Sequence, residues 1–496
     1  MQKNVALTVA FTLLFTGFSS AIFAAQFKYE PLPNGPVTVG PPNGTVIAVG
    51  GGVQGPRIYK AFIDAAGGPN ALILDVPNNS IEKPMTVAPS WAGKGLRDHG
   101  AKNVRVLFTQ SRKVANSDAF TAIINKAGGI WFDGGRQYHD IRAYAGTKTE
   151  QAFWGVLERG GVVGGSSAGM AVLGGFLVRG APSHNNYIED YPGSDKGFGF
   201  LRDTAADMHV VARERLPDLT SVIARYPKVL GISADEGTAW VIKGDIGHII
   251  GRDKAFVYNG RETDPGLPYL TLYPGDVYNL YTRQVVSRAA DRSPVTAQFI
   301  TSLFEKYDNR RLGGAAVLVA EDGDVFVDRA FGIPPQTRYM PRTTLPQFPL
   351  GGMTKVFTSL CAQLPLFRPP VEQNVYFSSP LEKCVTHLSG PIGMHRTIAP
   401  PGDTEILSDV DELYRLDLGL QWQSTWPNAD YSIGWTPETF DGVQALAAYA
   451  TPRGKQAAFV RIPSRHAVVI ILTNDPGADA RGLSERILGK LLRTSP

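Results

Sequence analysis

Only two of the 496 residues are cysteine, Cys361 and Cys384, so the chain is neither a disulfide-stapled miniature nor a cysteine-rich metal module. No His-Glu-x-x-His or comparable cluster with ligand spacing occurs, which leaves metal-dependent hydrolysis a poor reading, and no cofactor is expected. Basic and acidic residues nearly balance, 49 against 45, and no dense Lys or Arg tract stands out, so nucleic acid is not an expected partner. The apolar stretch Val5 to Phe18 is shorter than the roughly 18 residues that a spanning helix needs. Fixed-period repeats and low-complexity tracts do not stand out either.

What is present describes a folded protein: 43% hydrophobic and 19% charged residues. The length exceeds one ordinary core and points to two or three domains. The early Lys3, the apolar stretch and the small residues Ser19, Ser20, Ala21, Ala24 and Ala25 read as a secretory signal over residues 1–25, cleaved between Ala21 and Ala25. The mature protein is then expected to be secreted or periplasmic and off the membrane. In such an oxidising compartment the two cysteines could pair, or equally stay as two buried thiols.

Short apolar runs at Thr45–Val49, Ala71–Val76, Val104–Phe108, Gly129–Phe132 and Gly161–Gly164 alternate with helix-length stretches, one of them capped at Ser117-Asp118 and continuing to Lys126. The expectation is an α/β domain over residues 26–288, a mostly parallel sheet covered by helices on both faces. Asp207–Val211 and Val229–Ser233 read as further strands, and Ala239–Val257 as a hairpin containing Gly244-Asp245. From Ser293 the texture changes to a helix ending at Phe304, a hairpin over Ala315–Arg329 turning at Asp322-Gly323, a Pro-rich middle, a strand over Ala467–Thr473 and a terminal helix. Residues 289–496 are expected to form a smaller α+β domain.

Gly165-Ser166-Ser167-Ala168-Gly169 follows an apolar strand and precedes a helix, the nucleophile-elbow pattern that lifts a serine hydroxyl clear of a sheet. The Gly134-Gly135-Arg136-Gln137 loop follows another strand, so both turns open at the carboxyl edge where open α/β sheets bind ligands. Ser167 needs a base. His209, in Asp207-Met208-His209 immediately before an apolar strand, is the best placed of the eight histidines, and Glu236 ends the next buried strand, where it could orient the imidazole. The order Ser, His, Glu and the missing extended-loop oxyanion motif exclude an ordinary α/β-hydrolase.

These motifs, with Gly50-Gly51-Gly52, Gly164–Gly169, the stretch Gly197–Leu216 and Gly231–Ala239, resemble the cyanophycinase and aspartyl dipeptidase group of serine peptidases, family S51, whose fold is similar to class I glutamine amidotransferases with serine in place of cysteine. The resemblance spans about Gly44 to Arg283. It implies Ser167 as nucleophile, His209 as base, Glu236 as its orienting acid, the amides of Gly135 and Ala168 as oxyanion donors, and Gln137, Asp207, Arg213 and Arg215 as substrate-binding, the guanidinium groups suiting a free carboxylate. It further implies an acyl-enzyme route and, as substrate, cyanophycin, a polyaspartate bearing arginine on its side chains, or a related β-aspartyl peptide. Two positions depart from the family pattern: Met208 stands for glutamine and Asp218 for arginine.

The second half resembles, more distantly, the penicillin-binding and class C β-lactamase-like hydrolases. Gly313–Val319 matches their opening strand and Gly351-Gly352-Met353-Thr354-Lys355 their Ser-x-x-Lys, with Gly352 in the nucleophile position. A catalytically dead module follows, available for covering the cleft, binding polymer or forming a homodimer. A rival reading makes both halves remnants and the chain a non-catalytic polymer-binding protein.

Overall fold

The computed structural model describes residues 38–77, 91–182, 188, 195–308, 314–332, 347–363, 379–400, 405–421, 432–451 and 455–493. The expected signal segment lies outside the described residues, within which no helix is long and apolar enough to cross a membrane.

The β-branched run Thr45-Val46-Ile47-Ala48-Val49 is buried at every position and forms β1 (Thr45–Val49), as a strand covered on both faces should. β2 (Ile73–Val76), β3 (Val104–Val106), β4 (Gly129–Phe132) and β5 (Val162–Ser166) follow. They pair parallel in the order β1-β5-β4-β2-β3. The connections carry helices: Pro56–Ala65 opens with proline at its first turn and buries Ile58, Phe62 and Ile63, and Lys148–Glu158 is capped by the Thr147 hydroxyl, which accepts from the Thr149 amide. The helix expected from Asp118 to Lys126 is split, into Asp118–Thr121 and a 3-10 turn over Ile124–Lys126.

Two expectations about the following strands need correcting. The strand near His209 runs before it, not after it: β6 (Gly174–Phe176), β7 (Leu201–Met208) and β8 (Leu230–Ala234) pair parallel and start a second sheet. The long hairpin divides. β9 (Thr238–Lys243) and β10 (Ile246–Gly251) turn at Gly244-Asp245 and continue the first sheet antiparallel beyond β1. β11 (Ala255–Tyr258) and β12 (Tyr269–Leu272) join β8 in the second sheet, while β13 (Val277–Asn279) and β14 (Gln284–Ser287) complete the first. Among the described residues nine strands form one sheet and five the other. Apolar residues of β7, β8 and β11 share a core with Val46, Ile130 and Val163 of the first sheet, so the two sheets are one folding unit.

Beyond the helix Ala297–Phe304 come β15 (Ala315–Glu321), β16 (Asp324–Phe331), β17 (Phe348–Pro349), β18 (Leu407–Ser408), β19 (Thr436–Phe440), β20 (Val443–Ala450), β21 (Gln456–Ile462) and β22 (Ala467–Thr473). Six of them form an antiparallel sheet, β16-β15-β22-β21-β20-β19. Alternation is plain in β15: Ala316, Leu318 and Ala320 enter one core with the helices Thr354–Gln363, Pro380–Ile392 and Val410–Gln421, while Ala315, Val317 and Val319 enter another with Ala297–Phe304 and Ala480–Leu492. Gly352 sits in a tight turn before Thr354–Gln363, where a Cβ would meet only Tyr449 O at 3.7 Å. A side chain would fit there.

The cysteines pair. Cys361–Cys384 joins the helices Thr354–Gln363 and Pro380–Ile392 across a sequence separation of 23 residues. In the first core a different device appears. Asp75 of β2 is fully buried, and burial followed by the charge of Asp133 pushes its carboxyl well above its ordinary range. Burial pushes Asp133 up to about 6, against the hydrogen bonds of Asp75 and Trp131.

Replacing both cysteines by serine is expected to lower the unfolding free energy by about 3 kcal/mol, the chain-entropy value for a loop of this length, read as an earlier urea midpoint. For Asp133 the folded state holds its proton more tightly than the unfolded chain, whose carboxyl titrates near 3.8. Its stabilising contribution is therefore complete below that pH and lost as pH rises through about 6. Asp133→Asn should gain stability relative to the parent as pH climbs from about 4 to 7, a difference measurable by urea unfolding at several pH values; a constant difference would contradict it.

Candidate active site

Four strand ends meet at one edge. Gly50-Gly51-Gly52 follows β1, Ser167 follows β5, His209 follows β7 and Glu236 lies two residues beyond β8. Backbone bonds draw these loops together: the Ser167 amide donates to Val49 O (3.0 Å), the His209 amide to Gly50 O (3.0 Å) and the Gly237 amide to Gly51 O (2.8 Å). The absence of side chains on the strap is what permits this approach. A Cβ on Gly51 would press into Cε1 and Nε2 of the His209 ring, and one on Gly52 would lie 2.6 Å from Cβ and Oε2 of Glu236.

Ser167 and His209 both occupy positive φ, 57° and 55°, a region that costs a side-chain-bearing residue about 1–3 kcal/mol and is held only where surroundings over-determine it. The turn aims the serine hydroxyl at the imidazole. Ser167 Oγ lies 2.7 Å from His209 Nε2, and His209 Nδ1 lies 2.7 Å from Glu236 Oε1. Burial alone would raise the Glu236 carboxyl, yet the hydrogen bonds from His209 and His395 outweigh it and hold the group well below the usual carboxylate range. An ionised carboxylate only accepts. Nδ1 of His209 therefore carries a hydrogen, and in the neutral ring Nε2 is left as acceptor for the serine hydroxyl.

The Gly134-Gly135 loop faces the serine: a Cβ on Gly134 would come within 3.3 Å of Ser167 Cβ. Gly135 takes φ 142°, a conformation that suits glycine. Ala168 begins the turn of helix after Ser167. Among the described residues neither amide, Gly135 or Ala168, donates to a backbone carbonyl.

Two of the residues expected to bind substrate are placed elsewhere. Gln137 is 2% exposed and donates to Val178 O at 2.9 Å, so its amide ties down the loop after β6. Asp207 is fully buried; its carboxylate accepts from Arg179 Nε and Nη2 (3.0 and 3.1 Å) and from the Met208 amide. With no exposed surface and both oxygens engaged, it holds Arg179 instead of facing a ligand. Arg179 also reaches Asp218 Oδ2 at 2.5 Å, which gives the departure at Asp218 a partner. Met208 joins the core. Arg213 is exposed and Arg215 half-buried; burial and then the neighbouring Arg179 bring the Arg215 guanidinium down to about 10, still cationic at neutral pH.

Other residues at this edge were not singled out in the sequence. Gln54 donates to Ser166 Oγ (2.6 Å) and accepts from Tyr59 Oη (2.7 Å). Asp235 Oδ1 accepts from the amides of Val211 and Ala212 (3.1 and 2.8 Å), shaping the turn that follows His209. His395, from the second half, lies 3.0 Å from Glu236 Oε2. A local signal existed for Gln54 and Asp235, which adjoin motif residues; none existed for His395, 159 residues away from Glu236 in sequence.

Comparison with known proteins bears on the same stretch of chain. Residues 46–250 match the family described as Peptidase family S51. A cyanophycinase of Synechococcus elongatus is 30% identical over 267 residues, covering 49% of this chain and 81% of the relative. A cyanophycinase of Geminocystis herdmanii is 28% identical over 222 residues, covering 44% and 81%. Among solved structures, a peptidase from an acI-B1 actinobacterium aligns with TM-score 0.37 and 20% identity over 48% of this chain and 97% of its own. The matched residues 46–250 hold all four strand ends that meet at Ser167, and with relatives covered over most of their length the chain belongs to peptidase family S51, a family of serine-type peptidases.

Proposed function

We propose that this chain is an exported serine exopeptidase that hydrolyses cyanophycin to β-aspartyl-arginine dipeptides through an acyl-enzyme. The observation that carries the reading is the relay of two 2.7 Å contacts from Ser167 through His209 to Glu236. In it Ser167 attacks the carbonyl while His209 takes its proton and later delivers it to the leaving amine; Glu236 stabilises the imidazolium formed between these steps. The amides of Gly135 and Ala168 receive the oxyanion, a service whose loss costs about a hundredfold to a thousandfold per donor. Arg213 and Arg215 supply cationic donors for a substrate carboxylate. The substrate follows from relatives named cyanophycinase.

An isoaspartyl or aspartyl dipeptide is the second reading. Met208 and Asp218, in place of the glutamine and arginine usual in the resemblance, favour it. The second half, with Gly352 where a nucleophile would stand, is read as a degenerate β-lactamase-like module over residues 289–496.

Incubating the purified protein with insoluble cyanophycin, and separately with β-aspartyl dipeptides, tests both readings. Product from cyanophycin, abolished by at least about 10⁴-fold in Ser167→Ala, is expected. Cleavage of dipeptides alone would overturn the substrate, and equal negligible rates for parent and Ser167→Ala on both would overturn the enzyme. Gly51→Ala should lower kcat about a hundredfold with KM little changed, because the new methyl displaces the His209 ring; an unaltered kcat would refute that placement.

A further inference from the structure

Glu236 has two carboxylate oxygens, and the relay uses one. Oε1 accepts from His209; Oε2 accepts from Nε2 of His395 at 3.0 Å. A carboxylate held through a single oxygen keeps freedom about its terminal torsion, which is broad in glutamate. A second donor on the other oxygen removes that freedom.

The His395 loop is itself held firmly. Oε2 of the fully buried Glu412 accepts the amides of His395 (2.8 Å), Arg396 (2.9 Å) and Thr397 (3.1 Å). The Arg396 guanidinium is clamped on Asp409 through Nε (2.6 Å) and Nη2 (3.0 Å). Three consecutive residues of the first half then fasten this region, and the first of them bonds the Glu236 backbone as well. Arg252 Nη1 donates to Ile392 O (2.6 Å) and its Nε to Glu236 O (3.3 Å). Asp253 pairs with Arg415, which also binds Glu412 at 2.6 Å. Lys254 meets Asp328 (2.7 Å) and Asp411 (3.0 Å). Loop and carboxylate thus share one rigid, charge-compensated support.

We infer that His395 is a positioning residue for the peptidase reaction, a fourth group in the line Ser167, His209, Glu236, His395, and that the second half completes the catalytic machinery of the first. The inference rests on the reading of Ser167, His209 and Glu236 as the catalytic set. His395 acts on the acid alone, by fixing the plane of the carboxylate and so the direction of the His209 ring. It touches neither Ser167 nor the oxyanion donors, so its loss should act on the proton-transfer step and leave substrate affinity alone.

The test compares the full-length parent with His395→Phe, which keeps a ring without the N–H, His395→Gln, which restores a donor, and Ser167→Ala. The His395 side chain is 33% exposed, so neither substitution disturbs a core. Two rates are read: labelling of Ser167 by a fluorophosphonate, which needs no peptide substrate, and kcat and KM for release of β-aspartyl-arginine from cyanophycin. His395→Phe should label about tenfold to a hundredfold more slowly, the scale of one charge-assisted hydrogen bond. Its kcat should fall in step, KM and melting temperature should hold, and His395→Gln should recover most of the rate. If His395→Phe labels at the parental rate, or if His395→Gln is as slow as His395→Phe, the inference is overturned. If the parent labels no faster than Ser167→Ala, the catalytic assignment itself fails, a result distinguishable from the other two.

Discussion

Three carbonyl groups in a row organise this molecule. Those of Val49, Gly50 and Gly51 accept the amides of Ser167, His209 and Gly237, so one short strap fixes the backbone beside each member of the relay. Two sheets contribute those members, Ser167 from the first and His209 and Glu236 from the second. The register of β7 on β8 and the Asp235 carboxylate already set His209 against Glu236; the strap ties that pair to Ser167 of the other sheet. Its glycines are required by space: the volume that side chains would fill is occupied by the imidazole and the carboxylate. The strained φ at Ser167 and His209 is sustained by the same bonds, since a backbone already anchored on both sides cannot relax without breaking them.

A second support lies where the halves meet. Arg252 and Arg415 are almost wholly buried, as are Asp235, Asp253 and Glu412, and burying charges without partners would cost several kcal/mol each. Here each finds an opposite charge or a carbonyl. Removing one member would leave the others uncompensated, which makes the junction unforgiving and explains how a loop of the second half can be held to hydrogen-bond accuracy against Glu236.

Much of this was legible in the chain. Runs such as Thr45–Val49 and Gly129–Phe132 are β-branched or aromatic, end at glycine and fall at helix-length intervals, so the parallel strands and the edge carrying Ser167 could be read directly. The hydroxyl and the carboxylate were legible because each follows a buried strand, and the imidazole because it adjoins one. The direction of the strand at His209 was not, because Asp207-Met208-His209-Val210-Val211 is apolar on either side of the histidine and the left-handed turn there has no glycine to announce it. Gln137 and Asp207 look like pocket residues by their place in motifs; that they are tied to Val178 and Arg179 depends on a loop whose path no pattern dictates. His395 was illegible for a plainer reason: a lone histidine between methionine and arginine carries no periodicity, and its partner arises from tertiary packing alone.

The helix Val410–Gln421, which carries Glu412, packs on β15 and β22, and β15 has β22 as its neighbour in the six-stranded sheet. The helix therefore takes its seat from two strands far apart in sequence, one before it at residues 315–321 and one after it at residues 467–473. Ser167, His209 and Glu236 all precede the first of these strands, so the hold of His395 on Glu236 draws on chain far from the relay in sequence. Any loosening of that six-stranded sheet reaches the Glu236 carboxylate through Glu412 and the His395 loop, so the relay depends on strands that carry none of its members.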